Sequence, residues 1–440
     1  MNRPDLSNLI NKDMKNSIYN YVVSIGNNKV IFNTVSNSFL KITPAIEDCL
    51  SGNHADSEVH KRLVRDGFIV PDNIDEKKVI KSLIQQRKLS SKIYQLIINT
   101  SLDCNLGCWY CYETHVPHSF MKQDMAERVI KHIRLKQKSD KFEILQITFF
   151  GGEPLMNIKA ISYILNEIRK ISEEEKFDIQ VSFITNGTLI TQRLIDIVKP
   201  FKTIFQITID GNKEVHDKTR KYKKTTNTSC YETIINNLKE LNKTEGQFFF
   251  NLRINYDQEI LENIDELIKD LSFIDRKRCT VSLQKIWQCG REDINMSTLY
   301  AAINKINANS FVVSSNALQP QYCACYADNN NEAVINFDGK VFKCTARNFM
   351  DIPHYGILNE MGVIEWNTDM VMKRLSITQD GRCDDCILLP SCGGICSQHR
   401  LEGNANNVKA CKYDERLTIE NIISMAIKQR IISFKLQQTD

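Results

Sequence analysis

Cys104, Cys108 and Cys111 stand in the spacing C-x3-C-x2-C, inside the run Cys104-Asn105-Leu106-Gly107-Cys108-Trp109-Tyr110-Cys111. Three thiolates on one short loop can hold three irons of a [4Fe–4S] cube, leaving the fourth iron without a protein ligand. An open metal position of this kind admits a substrate or cosubstrate. A structural zinc ion wants four ligands, usually from two C-x2-C pairs, and three cysteines fit it poorly. A second concentration of cysteine lies toward the C-terminus, where eight of the fifteen fall between Cys323 and Cys411. The order is Cys323-x-Cys325, then Gly339-x4-Cys344, then Cys383-x2-Cys386-x5-Cys392-x3-Cys396, and last Cys411. At four cysteines per cube, these fill two further clusters. C-x2-C pairs also serve zinc, so two zinc-ribbon knuckles are the competing reading of this zone. Cys49, Cys230, Cys279 and Cys289 have no ligand-like spacing and read as buried or half-buried thiols.

These loops need a scaffold. Apolar β-runs at 94–99, 145–150, 181–185, 204–209, 248–254 and 281–286 alternate with helical patterns such as 123–137, 158–171 and 230–241. Buried runs separated by amphipathic helices imply a parallel sheet with crossover helices. The expected fold is α/β, a partial (β/α)6 TIM-like barrel rather than a complete eight-unit one. Chemistry on such a fold gathers at the C-terminal strand ends. The cysteine loop follows the first run. Gly151-Gly152-Glu153-Pro154 closes the second, Thr185-Asn186-Gly187 the third, and Thr208-Ile209-Asp210-Gly211 the fourth, with His216-Asp217-x-x-Arg220 behind it. Glycines at a strand end let the backbone approach a ligand closely. Each of these short motifs alone reads as a turn or a surface cation; their order at consecutive strand ends does not.

Residues 1–90 form a different zone. Two β-rich stretches flank the hairpin turn signal Gly26-Asn27-Asn28, two short helical patterns and a short strand near 67–70 follow, and 75–87 reads as an amphipathic connecting helix. This order suggests a small winged-helix-like module. The expected domains are therefore 1–90, 91–314 for the barrel, and 315–440 for the cysteine-rich zone. Composition narrows the function classes. With 57 basic and 53 acidic side chains the net charge is +4, too near balance for a nucleic-acid polyelectrolyte binder. No apolar run approaches the roughly 18 residues of a membrane span, and the N-terminus lacks a hydrophobic signal region. A cytoplasmic protein is expected, and there fifteen cysteines are not a disulfide framework.

The C-x3-C-x2-C loop, with the aromatic Tyr110 before its third cysteine, resembles the hallmark of the radical S-adenosylmethionine (SAM) superfamily. The resemblance implies that the cosubstrate's amino and carboxylate groups chelate the open iron, and that one electron cleaves the sulfonium to methionine and a 5′-deoxyadenosyl radical, which takes a hydrogen atom from the substrate. It implies that Gly151, Gly152 and Glu153 meet the cosubstrate's amino group, that Asn186 and Thr208 contact its sugar or methionine part, and that Arg220 pairs with its carboxylate. The C-terminal cysteines resemble the SPASM domain of peptide-modifying radical enzymes. That likeness places Cys383, Cys386, Cys392 and Cys411 on one auxiliary cluster and Cys344 and Cys396 on another, completed by Cys323 and Cys325. The alternative reading of that close pair leaves one member a spare thiol. The first 70 residues resemble the recognition element that binds the leader of a ribosomal precursor peptide, by adding a strand to a sheet edge.

The implied protein is a peptide maturase with three [4Fe–4S] clusters and SAM, installing a carbon–carbon or carbon–heteroatom cross-link. Its implied partners are the precursor peptide and a small electron donor such as flavodoxin or ferredoxin. An anaerobic sulfatase maturase, which forms formylglycine, is the alternative. In those enzymes an acidic residue follows the G-x4-C cysteine, whereas here Cys344 precedes Thr345-Ala346-Arg347, and about a hundred residues precede the first motif. From another class, a non-catalytic zinc-binding interaction protein is the third reading.

Overall fold

The computed structural model describes residues 13–53, 57–224, 227–286, 294–314, 318, 325–377, 381–403, 411, 413 and 416–438; Cys289 and Cys323 lie outside them. The chain divides into two compact units. One comprises Met1–Ser90, Asn316–Asn329 and Lys373–Arg430, the other Ser91–Ser315, Asn330–Met372 and Ile431–Asp440.

The first unit begins with β1 (Met14–Asn16), β2 (Asn20–Ile25), β3 (Asn28–Asn33), β4 (Ser38–Lys41) and β5 (Ile69–Pro71). β2, β3 and β4 make an antiparallel sheet, and β1 pairs with β5. Gly26 turns the β2–β3 hairpin at a φ of 57°, a conformation that favours glycine. The helices Pro44–Leu50 and Glu58–Arg65 start where Thr43 and Ser57 accept the N–H groups of Ile46 and His60, a cap worth about 1 kcal/mol. Ile31, Ile46, Leu63, Val64 and Phe68 form the core beneath them. The helix Glu76–Leu89 buries Ile80 and Ile84 with Tyr19 and Leu389. Its Lys81 pairs with Asp384 at 2.9 Å and its Lys77 with Asp385. Lys88 is buried and donates to the Ile377 carbonyl. This helix therefore joins the N-terminal strands to the segment that carries Cys383–Cys396.

The second unit contains β6 (Ile93–Asn99), β7 (Leu106–Cys108), β8 (Ile144–Phe150), β9 (Asp178–Thr185), β10 (Lys202–Thr208), β11 (Arg220–Tyr222), β12 (Phe248–Tyr256), β13 (Cys279–Lys285) and β14 (Val312–Val313). β6, β8, β9, β10, β12, β13 and β14 lie side by side in chain order, all parallel. Helices including Gln123–Asp140, Ile158–Glu175 and Cys230–Lys243 make the crossovers. Phe149, Phe183 and Phe205 stack across β8, β9 and β10 at centroid distances of 5.2 and 5.4 Å, each pair adding about 0.5–1.5 kcal/mol to its burial. The six apolar runs thus become consecutive parallel strands, and among the described residues the sheet does not close on itself.

Residues 330–372 were grouped with the cysteine-rich zone on sequence. They extend the same sheet on its other side. β15 (Glu332–Asn336) runs parallel to β6, and β16 (Lys340–Phe342), β17 (Gly356–Leu358) and β18 (Ile364–Trp366) follow as an antiparallel series. The signal in β15 is only Ala333-Val334-Ile335, a run too short for periodicity to separate from a loop. No helix among the described residues is long and apolar enough to cross a membrane.

Candidate active site

The motif residues of the second unit converge at the C-terminal ends of its parallel strands. β6 ends at Asn99, and the chain turns through Ser101–Asp103 into the cysteine loop. Cys104 is buried, Cys108 half-buried and Cys111 exposed. Cys108 lies in β7 directly opposite Arg220 of β11. Burial pushes the Cys104 thiol up to about 12 and that of Cys111 up to about 11, and raises Cys108 as well. Cys104 and Cys111 both sense charge on Cys108, and Arg220 pulls all three thiols back toward ionisation. Such thiols need a cation to become thiolates, and a bound metal deprotonates a coordinating thiol outright. A tetrahedral metal draws its ligands onto one ion, whereas each cysteine of a cube binds its own iron. Among the described residues no three His, Cys, Asp or Glu side chains are gathered as ligands of a single ion.

The glycine pair serves the loop's architecture. Gly151 and Gly152 have φ of 84° and 49°. A Cβ on Gly152 would lie 2.1 Å from the Asp103 carbonyl oxygen, and one on Gly151 2.8 Å from that of Ser101. The close approach is to the chain that leads into Cys104, and the Glu153 N–H donates to the same Asp103 carbonyl at 2.8 Å. The Glu153 carboxylate is fully buried and turned into the protein. It accepts from Leu155 N, Thr185 Oγ1 and Asn186 N at 3.0, 2.7 and 2.7 Å. Asn186 ties the third strand end to the cysteine loop, donating to Asn105 Oδ1 at 2.8 Å with Cys104 Sγ at 3.8 Å. Thr208 ends β10, buried.

Arg220 and Tyr110 meet in a buried polar cluster. Arg220 ion-pairs with Asp210 at 3.7 Å and donates to the Tyr110 hydroxyl. That hydroxyl donates to Asp210 Oδ2 and accepts from Asn255 Nδ2 at 3.0 Å. The Asn255 N–H reaches Asp210 Oδ1 at 2.8 Å. His216 is fully buried, which pushes its imidazole down to about 3 and keeps it neutral; its Nδ1 accepts the Asp210 N–H at 3.0 Å. The aromatic residue of the cysteine motif is thus pinned to the ends of β10 and β12. Among the described residues Arg220 Nε has no partner, so Arg220 combines an internal ion pair with one unengaged donor.

Sequence reasoning did not single out Glu113, Asn105 or Asn255. Asn255 sits at the end of the fifth parallel strand, where the strand-end rule points. Burial pushes the Glu113 carboxyl up to about 7, opposed by the N–H of Gly152, and no spacing signal announces it.

Cys344 follows β16 in the same unit. Tyr112, next to Cys111, donates to the Thr345 carbonyl at 2.8 Å, and Asn348 bonds both Thr114 N and Thr114 Oγ1. The loop leaving the first motif is therefore stitched to the segment leaving Cys344. The other described C-terminal cysteines belong to the first unit. Cys383 and Cys386 share a turn, with the Cys386 N–H on the Cys383 carbonyl, and Cys392 closes a short helix before the left-handed Gly393. Cys396 precedes the helix Ser397–Leu401, and Cys325 lies at the start of the turn Tyr326–Asp328. Burial raises the Tyr413 phenol, and charge on Cys392, Cys411 and Cys386 raises it further. One phenol thus senses three of the four cysteines assigned to a common cluster. Cys323 lies outside the described residues.

The Radical SAM superfamily model matches residues 98–271, from the end of β6 through the helix Ile264–Asp270 that follows β12. Residues 98–271 are a radical SAM domain. A cysteine-type anaerobic sulfatase-maturating enzyme of Clostridium novyi (strain NT) is 23% identical over 382 residues, covering 77% of this chain and 98% of its own. The radical SAM cyclopropyl synthase TigE of Paramaledivibacter caminithermalis is 22% identical over 340 residues, 69% of this chain and 67% of its own. In fold, the chain matches Streptococcus suis SuiB bound to its precursor peptide SuiA with a TM-score of 0.52 and 15% identity, over 92% of this chain and all of SuiB. It matches anSMEcpe with bound AdoMet and the Kp18Cys peptide with a TM-score of 0.54 and 16% identity, over 78% of this chain and 98% of that one.

The chain is therefore an enzyme that carries a radical SAM domain, of a family that uses a [4Fe–4S] cluster and SAM. Cys104, Cys108 and Cys111 would hold the cluster of the radical SAM domain, which when bound supplies the electron that cleaves SAM. The residues present fit that group: three thiols on one loop share one electrostatic environment, and the neighbouring strand ends are locked to that loop by Asn186, Glu153 and the glycine pair.

Proposed function

We propose that this radical SAM enzyme is a peptide maturase that closes a carbon–carbon or carbon–heteroatom cross-link in a ribosomal precursor peptide. The observation that carries it is the joining, within one unit, of the N-terminal strands to the Cys383–Cys396 segment through the helix Glu76–Leu89. A recognition module is in this way built together with a cysteine-rich segment that the chemistry of auxiliary clusters requires. The SuiB fold spans 92% of this chain and the anSMEcpe fold 78%, so the longer match supports a leader-binding module at the N-terminus.

In this reading Cys383, Cys386, Cys392 and Cys411 hold one auxiliary [4Fe–4S] cluster, and Cys344 and Cys396 another with Cys323 and Cys325. Three clusters amount to about twelve irons per chain. The site of action is the cytoplasm, the leader adds a strand at a β-sheet edge of residues 1–70, and a flavodoxin or ferredoxin supplies electrons. The match to the Clostridium novyi enzyme along 98% of its length favours a second reading, formylglycine formation in a sulfatase. The residue following Cys344 is Thr345, which cannot act as the carboxylate base placed there in those enzymes.

Anaerobic turnover of the reconstituted enzyme with a precursor peptide decides between them. A cross-link and an aldehyde made from Ser are both two hydrogens lighter, whereas an aldehyde made from Cys also exchanges its sulfur for a water oxygen, so fragmentation must reveal a linkage; an aldehyde would sink the maturase reading in favour of the alternative. Replacing Cys104, Cys108 and Cys111 together by Ala should abolish 5′-deoxyadenosine formation and leave about eight irons. Deletion of residues 1–70 should abolish precursor binding while SAM cleavage continues, and unchanged precursor affinity would refute the recognition role.

A further inference from the structure

Glu113 stands two residues beyond the last cysteine of the first motif, and the spacing of that motif gives it no part. Its carboxylate turns back onto the glycine pair, Oε2 accepting the Gly152 N–H at 2.8 Å. Oε1 is closed off from solvent and accepts no hydrogen bond from the described residues. Leaving a buried acceptor unsatisfied costs about 1–3 kcal/mol, and more for a charged one. A group in that state points to a donor supplied from outside the chain.

The contrast with Glu153 sharpens the point. Glu153 belongs to the same segment, but both of its oxygens are spent on Leu155, Thr185 and Asn186. The acidic side chain that has a buried lone pair to offer beside the glycine pair is Glu113. Resting on the radical SAM reading, we propose that Glu113 Oε1 accepts an N–H of the amino group of SAM's methionine moiety while Oε2 stays on Gly152. Glu113 is then a cosubstrate-binding residue, and it links the loop behind Cys111 to the glycine pair through the ligand as well as through the chain.

The test measures binding. Glu113→Gln keeps an oxygen for the Gly152 N–H and nearly the same shape. Wild type and variant are reconstituted anaerobically and checked for iron content. Dissociation constants are then measured, with the cluster oxidised, for SAM and for the analogue in which hydrogen replaces the α-amino group. A hydrogen bond to a buried charged group is worth about 1.5–3 kcal/mol, so SAM should bind roughly 10- to 150-fold more weakly to the variant. The analogue should change by less than about threefold, and discrimination between the two ligands should collapse. Equal weakening of both ligands, or unchanged affinity for SAM, overturns the proposal. So does loss of peptide affinity with SAM binding intact, which would assign the carboxylate to the substrate. If Glu113→Gln does not take up iron, Glu113→Asp is measured in its place and should show the same selective loss. Failure of both variants to load a cluster would make Glu113 part of the loop's architecture and overturn its ligand role. Wild-type protein that binds no SAM at all would sink the radical SAM reading itself, an outcome separate from all of these.

Discussion

Gly152→Ala tests how tightly the glycine pair is fitted to the cysteine loop. Ala at a φ of 49° carries the left-handed cost, roughly 1–2 kcal/mol. Its Cβ would also lie 2.1 Å from the Asp103 carbonyl oxygen. That contact is relieved only by moving backbone, and the carbonyl that moves accepts the Glu153 N–H and directly precedes Cys104. Losing that hydrogen bond adds about 1 kcal/mol, for a local total of about 3 kcal/mol. Gly52→Ala is the control, because Gly52 has a φ of 90° but nothing among the described residues within 4 Å of its added Cβ; it carries the backbone term alone. Native-state hydrogen exchange reads local opening segment by segment. Amides of residues 99–111 should exchange about a hundredfold faster in Gly152→Ala, and iron uptake at the first motif should fall. Gly52→Ala should accelerate exchange only around its own turn, by roughly tenfold. Equal and small effects in the two variants, with normal iron content, would refute the claim that the pair is there to let two backbones touch.

Three further outcomes follow from buried polar groups. Tyr110→Phe removes a hydroxyl bonded to Asp210, Arg220 and Asn255; part of the loss is recovered by the Arg220–Asp210 pair, leaving about 2–4 kcal/mol, seen as faster exchange at the ends of β10 and β12. Arg374→Met strips the cation from Asp328, 3.5 Å away with both side chains 2% exposed, and should cost about 3–5 kcal/mol, visible as opening of residues 325–328. His132 is buried between the Tyr94 hydroxyl and the Gly362 carbonyl, and burial pushes it down to about 4 from 6.5. Between those values the unfolded chain binds the extra proton, so its contribution is full above pH 6.5 and is lost as pH falls toward 4, up to about 3 kcal/mol. Denaturant unfolding of metal-free protein should fall less steeply over that window in His132→Gln, and parallel profiles would refute the assignment.

Two kinds of information set this molecule, and they separate by range. Along the chain, periodicity marked the six parallel strands, because a strand buried on both faces must be an apolar run. Spacing marked the three cysteines of the radical SAM domain, because thiols carried on one short loop are close in sequence. What lay beyond local pattern needed the fold. That β15 pairs with β6 depends on contacts between residues more than 230 positions apart, as in the Asn99–Asn336 bond. That Glu153 is spent on backbone donors, that Arg220 is tied to Asp210 and Tyr110, and that Glu113 keeps one lone pair free are decided by which groups reach each other in three dimensions. Residue type fixes what a side chain can donate or accept; only packing fixes which partner takes it, and so which capacity is left for a ligand.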